Sequence, residues 1–198
     1  MDMLKKRKTA LWIFIAVVLV FTVIGSHRSL TNVCDSTEEL FFDRELLIER
    51  RKTMDLTDGS VQPTDGYYSA PADHLKNCAD YANRILSLIK DDVSEDIYNE
   101  IRDSRRTLLD ALGVRDISDI YDAQTELYAQ VTQLDEQVIT NNYDDFNSVY
   151  TDFINANHAA ESSGYNQIAD HVIRTELNEF PANILRVLTG VELPEKYE

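Results

Sequence analysis

The sequence predicts an all-α fold: an N-terminal transmembrane helix followed by an antiparallel, up-and-down bundle of the four-helix type. Three observations carry this. Six Gly and four Pro in 198 residues are too few for a turn-rich β-protein. Core-type residues recur at three-four spacing along four stretches, as they do in helices packed along a seam. Residues 9–26 are uncharged and almost all apolar.

The apolar run is the first element. Eighteen residues rising about 1.5 Å each span roughly 27 Å, enough for a bilayer core. A cleaved signal peptide is the competing reading, but the run is long for one and Val23-Ile24-Gly25 is bulky at its middle. Lys5, Lys6, Arg7 and Lys8 precede the run, and only Arg28 follows within about 15 residues. The bias makes 1–8 a short basic cytoplasmic segment, 9–26 the anchor and 27–198 an extracytoplasmic helical body. The expected location is a cell membrane, crossed once, with the bilayer as partner through residues 9–26.

Next comes "STEELFFDRELLIERRKTMD", a helix with Leu40, Phe41, Leu47, Ile48 and Met54 on a broad face. It is expected to continue the membrane helix without a firm break. Residues 56–73 hold two Asp-Gly pairs and two prolines and read as a loop that no helix crosses. Beyond it, Leu75, Cys78, Ala82, Ile85 and Ile89 form a seam, with Asp73 as N-cap. Ile97, Ile101, Leu108, Leu109 and Leu112 form another, capped by Ser94 and stopped at Gly113.

The third seam is Ile117, Ile120, Gln124, Leu127, Val131, Leu134 and Val138, opened by Asp116 and Asp119 in imitation of a capping box. Its phase breaks at Thr140-Asn141-Asn142, where a helix–helix turn is expected. The fourth runs Tyr143, Phe146, Tyr150, Phe153, Asn157 and Ala160, then Tyr165, Ile168, Val172 and Leu177. One helix over 143–178, kinked at Gly164, would fit it.

The chain closes on an amphipathic helix over 181–189, opened by Pro181 and stopped at Gly190. It is expected to fold back as a lid burying Phe180, Leu185 and Leu188 against the bundle.

Chemistry is sparse. None of the four His residues follows a Glu at the three-residue spacing of a di-iron bundle, and His158-x-x-Glu161 reverses that order. There is no zinc-protease motif, phosphate loop or nucleophile elbow. Catalytic, cofactor-binding and metal residues are therefore none, and the chain reads as a non-enzyme. Residues 1–26 hold four of the 19 basic and one of the 35 acidic residues, so the body carries a formal charge of −19 and should repel nucleic acid. Arg50-Arg51 and Arg105-Arg106 could each pair with nearby carboxylates. Gln124 in a seam either fixes register or sits at a wet edge. Cys34 and Cys78 leave both a disulfide and two buried thiols open.

The last third of the chain resembles the end of LemA family proteins, which show Tyr-Asn, then Phe-Pro-x-Asn-Leu-Ile, a hydrophobic-Gly-hydrophobic step and a close on aromatic-Glu. The matching residues are Tyr165, Asn166, Phe180, Pro181, Asn183, Ile184, Leu185, Gly190, Tyr197 and Glu198. Ile173-Arg174 stands where the family has a second Tyr-Asn, and Arg50-Arg51 is followed by an inserted stretch. The resemblance implies a membrane-anchored antiparallel four-helix bundle with no established enzymatic activity. Some family descriptions place the N-terminus outside; Lys5 to Lys8 argue the reverse here. The expected role is a non-enzymatic interaction or scaffold module of the bacterial envelope with a protein partner. The alternative is an extracytoplasmic ligand-binding or sensor bundle signalling through a partner.

Overall fold

The computed structural model describes residues 2–54, 69–138 and 144–198, with the side chains of all but 2–9 and 135–138 among them. Most of those residues are helical, and none lies in a strand. The helices are α1 (Asp2–Phe42), α2 (Arg44–Thr53), α3 (Pro71–Ile89), α4 (Glu95–Val114), α5 (Ile117–Val138), α6 (Asp144–Glu161), α7 (Tyr165–Val172) and α8 (Ala182–Thr189). A π-helical turn, Ile173–Leu177, extends α7. The chain forms two compact units: residues 1–37 with 170–194, and residues 38–169 with 195–198.

α1 is long and apolar enough to cross a membrane. Residues 10–25 are exposed on every side, and only from Leu30 onward does the helix acquire a buried stripe: Leu30, Cys34, Thr37, then Leu40 and Phe41. α1 does run on unbroken past the apolar stretch, as expected, but it ends firmly at Phe42. Asp43 turns extended and its carboxylate accepts the amides of Glu45 and Leu46 at 2.8 and 3.0 Å, capping α2.

In the larger unit α3 packs against α4 and α6, and α4 against α5. The α3 and α5 seams are buried at every predicted position whose side chain is described. Ser94 caps α4 through the amide of Ile97. Other boundaries differ. α3 starts at Pro71, inside the stretch read as loop, because Pro suits a first turn that needs no donor; Asp73 is then a first-turn residue and caps nothing. α4 runs through Gly113 and ends on Arg115, which takes the left-handed backbone (φ 68°) instead. Its guanidinium lies 4.2 Å over the Phe42 ring and 2.8 Å from Glu39, contacts a glycine could not make. Leu109 faces water, off the buried stripe. The Thr140–Asn142 turn, Tyr143 and residues 56–68 of the expected loop lie outside the described residues.

The single helix expected over 143–178 is two. α6 ends at Glu161 and α7 starts at Tyr165, with Gly164 at φ +80° between them. A methyl group there would stand 2.9 Å from the guanidinium of Arg51, which is itself buried. The turn therefore needs glycine twice, for backbone sign and for space. Gly164→Ala should cost about 1–2 kcal/mol from the backbone sign alone. Urea unfolding of the full chain in detergent would read this as a lower midpoint; an unchanged midpoint would contradict it.

Candidate functional site

The densest set of specific contacts surrounds residues 195–198. Tyr165 and Asn166 open α7 directly after Gly164, and both bond to the chain's last residues. The Asn166 amide treats Tyr197 as a strand would: its Oδ1 accepts the Tyr197 N–H at 2.8 Å and its Nδ2 donates to the Tyr197 carbonyl at 2.7 Å. The Tyr165 hydroxyl donates to the Glu195 carbonyl at 2.6 Å.

Glu195 reaches further. Its carboxylate accepts the amides of Ile117 and Ser118 at 3.0 and 3.3 Å, while Asp116 accepts that of Asp119. Three of the donors left open at the start of α5 are thereby filled, with negative charge at the positive helix end. The Glu195 N–H in turn donates to Glu38. Around this backbone the Phe41 ring meets Tyr165 and Tyr197 with centroids 5.2 and 5.3 Å apart, and Tyr121 meets Tyr197 edge-on at 5.3 Å. Burial, reinforced by the charges of Glu38 and Glu195, holds the Tyr165 hydroxyl protonated far above its ordinary range, so it stays a donor.

A second polar cluster sits inside. Gln124 is 2% exposed, so it is not at a wet edge; its Nε2 donates to the Asn157 Oδ1, and Asn157 donates on to Glu161 at 3.0 Å. Two seam amides thus meet each other, one from α5 and one from α6. His158 points to solvent beside them. Arg105 donates to the Ala79 carbonyl at 2.8 Å, not to a carboxylate. Both cysteines are buried thiols, and they do not form a disulfide. Cys34 donates to the Glu192 carbonyl at 3.2 Å, and burial first, then the Glu161 charge, pushes the Cys78 thiol up to about 12, leaving it inert as a nucleophile.

Between α4 and α5 an open groove of about 440 Å³ is lined by acids and polar groups, among them Asp96, Glu100, Asp103, Ser104 and Glu126. Among the described residues no three His, Cys, Asp or Glu side chains converge as metal ligands.

The residues expected to form a lid are not buried. Phe180 is 79% exposed and Leu188 66%, with only Leu185 half-covered. α8 begins at Ala182, one residue later than the sequence suggests, with Pro181 at its cap, and it ends on Gly190 as expected. Its periodic face was legible; what covers that face was not.

No family model, curated protein or solved structure matches the chain.

Sequence reasoning picked out Tyr165 as a seam and motif residue and Asn166 and Tyr197 only as motif residues, and missed Glu38 and Glu195, since their contacts span up to 157 residues of chain. Asn166→Ala removes two hydrogen bonds and strands two backbone groups of a buried residue. It should cost about 1–3 kcal/mol, and Asn166→Asp should also destabilise, because a carboxylate cannot donate to the Tyr197 carbonyl. Thermal melts of the full chain in detergent test this; a melting temperature unmoved by either change would contradict it.

Proposed function

We propose that this chain is a single-pass, LemA-like protein of a bacterial cell membrane. Its helical body is a non-enzymatic interaction or scaffold module held outside the cytoplasm. The observation that carries the reading is the bare apolar surface of α1: residues 10–25 are exposed all round, and a helix apolar on every side requires an apolar solvent. The four basic residues before it and the single Arg28 after it favour an inside N-terminus.

An antiparallel bundle is supported by register. Ala79 lies ten residues before the end of α3 and Arg105 ten after the start of α4, and the two are bonded. Gln124 lies fourteen residues before the end of α5, and Asn157 thirteen after the start of α6. Paired positions at matching depths are what up-and-down neighbours give. The LemA resemblance gains from the convergence of its residues: Asn166 is bonded to Tyr197, 31 residues on, and its neighbour Tyr165 to the Glu195 carbonyl.

With a body of formal charge −19 the partner would present a basic or apolar surface rather than nucleic acid. The groove between α4 and α5 favours the second reading, a sensor bundle, whose ligand would be polar or cationic. Protease added to intact spheroplasts should digest residues 27–198, and crosslinking in the native membrane should return recurrent protein neighbours. Protection of the body until lysis would reverse the orientation. A captured small molecule without protein neighbours would favour the sensor.

A further inference from the structure

No side chain of α8 is buried. Ile184, Val187 and Leu188 recur on one face, Phe180 precedes them by a turn, and all four are at least half exposed. A contiguous apolar face of this kind is costly in water and marks a surface that something covers.

We infer that α8 is a second membrane contact, lying along the headgroup boundary of the bilayer with Phe180, Ile184, Val187 and Leu188 turned into the acyl layer. The inference rests on α1 being a membrane anchor. Three observations select lipid as the occupant. First, α8 belongs to the same compact unit as the bare apolar stretch of α1. Second, the Cys34 thiol holds the Glu192 carbonyl, two residues past the Gly190 stop, against α1. Cys34 lies eight residues beyond Ser26, where the apolar run ends, which is about 12 Å of helix rise. The polar layer beyond the hydrocarbon is itself about 5–8 Å deep on each side, so the chain just past the end of α8 lies within about one helix diameter of it.

Third, residues 180–190 carry one charge, Arg186, in a chain otherwise dense in acids. The stretch has no cationic face to seek anionic lipid, and it needs none. An anchored helix is held at high local concentration over the bilayer, so burial of a short apolar face suffices to keep it there.

The test uses the full chain in phosphatidylcholine vesicles, with an environment-sensitive fluorophore on Val187→Cys or, separately, Val18→Cys; the native thiols are buried and resist labelling. At Val187 the dye should shift to the blue. It should be quenched by nitroxides placed near the lipid headgroup more than by mid-chain ones, and escape aqueous iodide. None of this should change as protein is diluted into more lipid. At Val18 the mid-chain nitroxide should dominate. Failure at Val18 would remove the anchor reading itself. Quenching at Val18 with a Val187 dye open to iodide would overturn this inference alone. So would a blue-shifted Val187 dye that lipid nitroxides cannot reach, or whose shift fades on dilution, since either places a second copy over α8.

Discussion

The amide of Asn166, paired to both backbone groups of Tyr197, is the constraint on which the larger unit turns. Through it four separated pieces of chain are fixed together: the end of α1 by Glu38 and Phe41, the start of α5 by Glu195, the start of α7, and residues 195–198. Each hydrogen bond contributes only about 0.5–1.5 kcal/mol, and each aromatic pair about as much beyond its burial. They share atoms, however, so losing one loosens the rest, and the set behaves as a unit. It also has a topological consequence. With Tyr165 bonded to Glu195 and Asn166 to Tyr197, the segment that carries α8 is a closed loop with both ends tied. Closing such a loop costs chain entropy, and the clamp is what meets that cost.

Gly164 and Arg51 belong to the same account. Tyr165 and Asn166 can face the tail only because α6 stops before them, and α6 stops where a left-handed residue is seated against a buried guanidinium. The sequence carried the consequence as a periodic seam, Phe153, Asn157, Ala160, then Tyr165, Ile168, Val172, that looks unbroken. A glycine turn that adds a few residues need not disturb which face is apolar, so periodicity alone could not separate a kinked helix from two helices.

That limit recurs elsewhere. Periodicity identified the buried faces of α3 and α5 residue by residue, including Gln124, because local spacing decides which side a helix buries. It could not say that Gln124 meets Asn157, nor that the face of α8 stays uncovered, since the partner of a face is non-local. Caps behaved similarly. Ser94 and Gly190 act where they stand, whereas Asp73 was displaced by Pro71, and Gly113 by an Arg115 whose side chain has better partners two residues on. The clamp was present in the sequence only as seam positions and letters matching a pattern; its chemistry, a side-chain amide completing a backbone pair, appears once the chain is folded.

The most direct test of the clamp is the hydrogen exchange of the Tyr197 amide in the full chain, followed residue by residue in detergent. If residues 195–198 are structural to the larger unit, that amide should open only with global unfolding and be as protected as the amide of Leu127 in the α5 seam. Exchange at the rate of an exposed peptide, while Leu127 stays protected, would mean the tail merely rests on the unit, and the account of what holds it together would be wrong.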